Sequence, residues 1–191
     1  MKVPSDPAVA QPDATGDGVR VRAIQREDVP RCAEILESVR PWFGLDDSNR
    51  AFMESLRVLP AAVALSLDGA TIVGFIALAS YSPRAAEIRV MAVERALHRR
   101  GFGRALVDWG EAWCRREGVP WLHVKTLGPS TPDEGYERTR AFYVALGYEP
   151  LFESKTMWGA DNAALILVKH LACVDRDRRD RRGAAQTPLA P

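Results

Sequence analysis

The chain is poor in cysteine, histidine and lysine, and no apolar run in it is long. Of 191 residues, three are cysteine and three histidine. Cys32, Cys114 and Cys173 stand far apart with no Cys-x-x-Cys pair, which argues against a disulfide framework and against a zinc site. His98, His123 and His170 add no local cluster to them, so no metal is expected. Scattered thiols fit a reducing, cytoplasmic setting. Nothing approaches the roughly 20 apolar residues of a membrane helix. Residues 1–18, with Pro4, Pro7, Pro12, Gly16 and Gly18, lack the apolar stretch of a secretory signal. No membrane partner is expected. Only four of the 26 basic residues are lysine, leaving 22 arginines, so the positive charge is almost all guanidinium, whose fixed fork suits carboxylates and phosphates. Against 25 acidic residues the net charge is +1, which provides no global field to draw in nucleic acid.

What is present describes one globular domain. A 47% hydrophobic and 27% charged composition excludes collagen-like and wholly disordered classes, and the length suits a single domain. Residues 1–18 and 172–191 read as disordered, the latter carrying the interleaved run Asp175 to Arg182. Residues 19–171 form the expected folded unit. Val19 to Ile24 alternates as a strand. A helix comes next over Cys32, Ile35, Leu36 and Val39, and a second, opened by Asp46, Asp47 and Ser48, ends before Pro60. Strands are expected over 61–67, 71–80, 87–93, 121–126, 149–157 and 164–170, with helices over 103–117 and 134–146. The fold class is α/β (mixed α+β): a mixed, mostly antiparallel sheet of six to seven strands with helices on both faces.

The most informative segment is Ala86-Glu87-Ile88-Arg89-Val90-Met91-Ala92-Val93 and, after a short connection, His98-Arg99-Arg100-Gly101-Phe102-Gly103-Arg104. It reads as a strand, a basic loop and a Gly-x-Gly turn that opens an amphipathic helix. Glycines there allow close backbone approach, and the helix start offers N–H groups and partial positive charge to a phosphate. Arg99, Arg100 and Arg104 add charge beside it. The plain alternative is a tight turn with arginines facing water. The segment is no P-loop, lacking Gly-Lys-Ser/Thr, and the third glycine position of a dinucleotide fingerprint holds Leu106.

Together with the element order and the later Phe142-Tyr143-x-x-Leu146-Gly147-Tyr148, this segment resembles the GCN5-related N-acetyltransferases, the GNAT family, over roughly residues 19–171. The resemblance implies that the backbone of His98, Arg99, Arg100, Gly101, Phe102, Gly103 and Arg104 holds the pyrophosphate of acetyl-coenzyme A. His98 departs from the family's Gln or Arg. Tyr136 stands where an Asn is common, seven residues before Tyr143. The family's strand splays from its neighbour, so that a backbone N–H among Met91, Ala92 and Val93 meets the developing oxyanion and the pantetheine arm pairs there.

Acetyl transfer from a thioester to an amine requires a neutral amine, a held oxyanion and a stabilised leaving thiolate. The resemblance makes Glu87 the candidate base and Tyr143 the candidate acid. Glu87 could instead pair with Arg84 or Arg89, and Tyr143 could be a core aromatic. Period-two geometry puts Glu87, Arg89, Met91 and Val93 on one face of their strand. Trp42, Asp46 and Asp47 lie in the region that forms the family's acceptor pocket; as plain structure they are a core aromatic and helix caps. Asp133 and Glu134 either face the acceptor or, as expected here, favour the start of the next helix. The expected function is N-acetyl transfer from acetyl-coenzyme A, the co-substrate, to a small-molecule amine by direct attack in a ternary complex. The rivals are a non-catalytic acyl-coenzyme A module, a protein acetyltransferase, and a phosphate-binding domain. Family habit leaves a homodimer open.

Overall fold

The computed structural model describes residues 14–16, 18–39, 46–159 and 161–172. Its centre is one eight-stranded sheet. Strand β1 (Ala14–Gly16) and β2 (Val19–Ala23) lead into helix α1 (Val29–Ser38) and α2 (Asp46–Val58). Strands β3 (Ala61–Leu65), β4 (Ile72–Ser82) and β5 (Ala85–Val93) form a meander, and after them come α3 (Phe102–Glu117), β6 (Trp121–Leu127), α4 (Glu134–Ala145), β7 (Glu149–Ser154) and β8 (Ala164–His170). The spatial order is β1-β2-β3-β4-β5-β6-β8-β7, and only the β5–β6 pair is parallel. The mixed, mostly antiparallel class is as expected. The added short strand, β1, lies within the stretch read as disordered. The Asp175–Arg182 run and Trp42 lie outside the described residues.

Alternation along the strands splits the core in two. Val73, Ile76, Leu78, Ile88 and Val93 pack with Leu106 and Trp109 of α3 and Tyr143 of α4. Val63, Phe75, Ala77, Val90 and Ala92 pack with Cys32, Ile35 and Leu36 of α1 and Leu56 of α2. Helices thus cover opposite faces, α3 and α4 on one, α1 and α2 on the other. Among the described residues no helix is long and apolar enough to cross a membrane.

One irregularity interrupts the middle of the sheet. Ala77 faces Val90, but Leu78 faces Ile88, so Arg89 is an extra residue on β5. Such a bulge bends the strand and sharpens its twist. The β5–β6 ladder runs only from Ala85↔Trp121 to Ile88↔Val124 and stops at this point. Beyond it β6 stays paired with β8 through Leu127, while β5 stays with β4 to Val93. The two central strands therefore part at the bulge. The bulge also corrects the period-two assignment: Arg89 lies over the Phe52 ring of α2 at 5.4 Å, and Glu87, two residues before it, shares that face. Met91 and Val93 instead pack on the α3 side.

The entry to α1 is fastened by Asp28, 5% exposed, which accepts hydrogen bonds from Arg22 at 2.6 and 2.9 Å and from the Gln25 N–H at 2.7 Å. Burial raises the Asp28 carboxyl, but the bonds from Arg22 and Gln25 outweigh it and hold it below the usual carboxylate range. We expect Asp28→Ala to lower stability by about 2 kcal/mol at pH 7 in urea melts, through the unpaired N–H and guanidinium it leaves. Because the folded-state carboxyl is held low, that stabilisation is present above the ordinary carboxylate range and lost as pH falls through the folded value. The deficit of the variant should shrink accordingly in acid.

Candidate active site

The site grows from the parting of β5 and β6. The Glu94 N–H donates to Val73 O at 2.9 Å, on the β4 side. Alternation along an antiparallel pair then turns the peptide groups of Val93 and Met91 toward the open side. His98 agrees with this geometry: its Nε2 lies 2.9 Å from Val93 O, and since a carbonyl only accepts, this nitrogen carries the proton. The ring at the departing family position thus ties the basic loop to the free end of β5. Arg31 of α1 steadies the same end, donating to the Glu94 carboxylate and, at 3.1 Å, to Ile72 O.

At the end of β5 the chain turns through Arg99 (φ 64) and Gly101 (φ 88). Arg99 is the one described non-glycine residue with positive φ. Left-handed backbone beside a helix start gathers successive N–H groups into an anion-binding nest. Gly101 is the N-cap of α3 and supplies no side-chain cap; the first intrahelical bond comes from Ala105 N–H to Gly101 O at 3.0 Å. The N–H groups of Phe102, Gly103 and Arg104 have no partner within the helix, and such groups can donate to an anion. Arg99, Arg100 and Arg104 are exposed and make no ion pair with another described residue. A Cβ on Gly103 would come 3.3 Å from the Phe142 ring, so glycine here lets α4 approach the helix start.

From Val93 back to Ile88 the free edge of β5 covers about 17 Å at the strand rise of roughly 3.3 Å per residue. An extended arm attached to a phosphate group at α3 would therefore deliver its far end to the vertex where the strands part. Two groups of side chains lie on the two faces of the sheet.

On the α3/α4 face stands Tyr143, 4% exposed, its ring edge-on to Phe142 at 5.1 Å and to Tyr148 at 5.5 Å. Its hydroxyl makes no hydrogen bond to another described residue. Burial pushes this phenol above its ordinary value, keeping it protonated across the physiological range. Thr126, on β6 beyond the vertex, is a residue the sequence does not single out. Its Oγ1 is buried without a partner among the described residues. The only signal for it is a hydroxyl in an apolar strand.

On the α1/α2 face lies Glu87, 2% exposed. It does not pair with Arg84 or Arg89. Tyr81 Oη donates to its Oε2 at 2.5 Å, and Lys125 Nζ lies 2.9 Å from its Oε1. His123, its register partner on β6, stands beside it, the ring 6.3 Å from that of Tyr81. Nothing in the sequence marks Tyr81, His123 and Lys125 as site residues, because a bulge and a parallel pairing bring them to Glu87.

The acceptor-side residues resolve unequally. Helix α2 begins at Asp46, so Asp46 and Asp47 occupy its first turn rather than preceding it; their side chains, like Trp42, lie outside the described residues. Asp133 caps α4, accepting the Tyr136 N–H at 2.8 Å. The loop before it is held by Glu153, which accepts from Ser130 N–H at 3.0 Å and Oγ at 2.8 Å.

Known proteins share this fold. The family model for acetyltransferases of the GNAT family matches residues 29–148. No curated protein sequence matches the chain. A Desulfovibrio desulfuricans protein assigned to the GNAT acetyltransferases superposes with a TM-score of 0.69 at 19% identity, covering 81% of this chain and 99% of that one. The ribosomal-protein-S18-alanine N-acetyltransferase of Escherichia coli superposes at 0.65 and 16% identity, covering 83% and 97%. An aminoglycoside 6'-N-acetyltransferase complexed with coenzyme A superposes at 0.65 and 19% identity, covering 81% and 98%.

The turn can be tested by stability alone. Gly101→Ala places a Cβ in left-handed backbone and should cost about 1–2 kcal/mol in urea melts. Arg99→Gly relieves the same penalty, offset by the entropy of glycine, and should leave the midpoint unchanged or slightly higher.

Proposed function

The chain belongs to the GNAT acetyltransferase family, and on that premise we propose that it moves an acetyl group from acetyl-coenzyme A to a primary amine of a small molecule, by direct attack in a ternary complex. The observation that carries this reading is the free edge of β5, which joins an uncapped helix start to the vertex between β5 and β6. The backbone of Gly101, Phe102, Gly103 and Arg104, with Arg99 and Arg100, holds the pyrophosphate. His98 keeps the end of β5 in place. The open-side peptide groups of Met91 and Val93 pair with the pantetheine arm, Ala92 between them packing into the α1/α2 core. Bound there, acetyl-coenzyme A supplies an activated acyl carbon and a thiolate leaving group.

This chain's residues supply the rest. An N–H of the free β5 edge faces the thioester oxygen as charge develops on it. Tyr143 donates its proton to the departing sulfur. The cluster centred on Glu87, on the opposite face, receives the proton of the amine. Direct attack fits the two described cysteines: Cys32 and Cys114 are buried, and burial pushes the Cys32 thiol up to about 12, leaving it inert as a nucleophile. Two buried free thiols also suit a reducing cytoplasm. A compact cationic amine suits the acceptor face, where the exposed ring of Tyr81 lies beside a buried carboxylate.

Thiol release from acetyl-coenzyme A in the presence of kanamycin, spermidine or an alanine-initiated peptide tests the reading. Turnover should favour the two small amines. Turnover confined to the peptide would move the acceptor to proteins. Thiol release with none, alongside a raised melting temperature with acetyl-coenzyme A, would leave a binding module. Tyr143→Phe should lower kcat about 10²-fold with the KM for acetyl-coenzyme A little changed.

A further inference from the structure

We propose that His123 is the group that takes the proton from the incoming ammonium, and that Glu87 is a positioning residue whose charge steadies the imidazolium so formed. The inference rests on the acetyl-transfer reading and moves the role of base, expected at Glu87, to its neighbour across the sheet.

Both Glu87 oxygens are engaged, Oε2 by the Tyr81 hydroxyl at 2.5 Å and Oε1 by the Lys125 ammonium at 2.9 Å. With its side chain 3% exposed, this carboxylate offers no lone pair on an open surface, and protonating it would break a buried ion pair. A base must reach the proton it takes. His123 is placed for that. It is directly across the parallel pair from Glu87, one residue before the last β5–β6 register pair, Ile88↔Val124. It is half-buried, on the face opposite Val124, and so opens on the acceptor side of the vertex.

The charges around it are few. On β5 they are Glu87 and Arg89, the latter directed onto Phe52 of α2. On β4 there is Tyr81, and on β6 Lys125. The β8 partner is uncharged Val168, with His170 two residues on and packed against the Trp121 ring at 4.6 Å, and Glu149 of β7 lies one strand further out. Burial lowers the His123 imidazole below its ordinary value, with Lys125 acting in the same direction and Glu87 and the Ala86 backbone in the other. The ring is therefore neutral near pH 7 and able to accept.

The step balances. The ammonium gives one proton to His123. The freed amine nitrogen attacks the thioester carbonyl, the C–N bond forms and the C–S bond breaks. Sulfur takes the Tyr143 proton, and the second proton lost by nitrogen restores the tyrosine. The products are amide, thiol and one proton, which His123 returns to solvent.

The test is the pH dependence of kcat/KM for the amine in the wild type, His123→Gln and Glu87→Gln, read beside the melting-temperature shift with acetyl-coenzyme A. His123→Gln should lower kcat/KM about 10²–10³-fold, abolish the acidic limb and leave the acetyl-coenzyme A shift intact. Glu87→Gln should keep that limb and move it to lower pH, since the charge favouring the imidazolium is gone. NMR titration of the His123 ring in wild type and Glu87→Gln should show the same downward displacement, and stands even where His123→Gln fails to fold. A limb that survives in His123→Gln and vanishes in Glu87→Gln would overturn the assignment and make Glu87 the base. A His123 resonance unmoved by Glu87→Gln would overturn it too. Absence of thiol release by the wild type with kanamycin, spermidine and the peptide would instead sink the acetyl-transfer reading.

Discussion

A single extra residue, Arg89, sets the geometry on which the site depends. Because β5 carries one residue more than β4 can pair, it bends away from β6 immediately after Ile88. Backbone groups in the middle of a sheet are normally consumed by neighbours on both sides. Here the stretch from Arg89 to Val93 has a neighbour on one side only, and that unsatisfied edge is where a ligand with amide groups of its own can complete the sheet. The bulge also exchanges faces, so that Glu87 and Arg89 point to α1 and α2 while Met91 and Val93 point to α3.

The surrounding contacts hold this open edge in place. Arg31 of α1 grips Glu94 and the start of β4, and His98 grips the Val93 carbonyl. The left-handed Arg99 and Gly101 then aim the start of α3 back along the strand. On α4, Phe142 packs against Gly103, which fixes the distance between the helix start and Tyr143 one residue on. The uncapped helix start, the free strand edge and the buried phenol thereby share the α3/α4 side of the sheet, with the carboxylate–histidine cluster on the other face.

Much of this is legible in the residues alone. The helix over 103–117, the turn at Gly101 and Gly103 and the strand over 164–170 come from period and from glycine placement, and the structure has them within a residue or two. Asp133 is the helix cap its position suggests. The part that is not legible depends on distant pairing. Arg89 is an ordinary strand residue between Ile88 and Val90, and nothing local marks it as extra. His123 meets Glu87 only through a parallel pairing on the far side of α3, and Tyr81 reaches Glu87 around a hairpin whose register shifts between Ser80 and Ser82. Charge patterning suggests Arg84 or Arg89 as the partner of Glu87, whereas the sheet supplies Lys125, one of only four lysines.

Acetyl-coenzyme A that completes the sheet along the free edge of β5 and ends on the start of α3 must protect the amides it pairs with. Residue-resolved amide hydrogen exchange, with and without saturating acetyl-coenzyme A, measures that protection most directly. Added protection is expected at Met91, Val93 and Gly101 to Arg104, with little change at Ala62 to Ala64, where both edges of β3 are already paired. Bound acetyl-coenzyme A that leaves Met91 and Val93 exchanging as in the free protein would contradict this pairing.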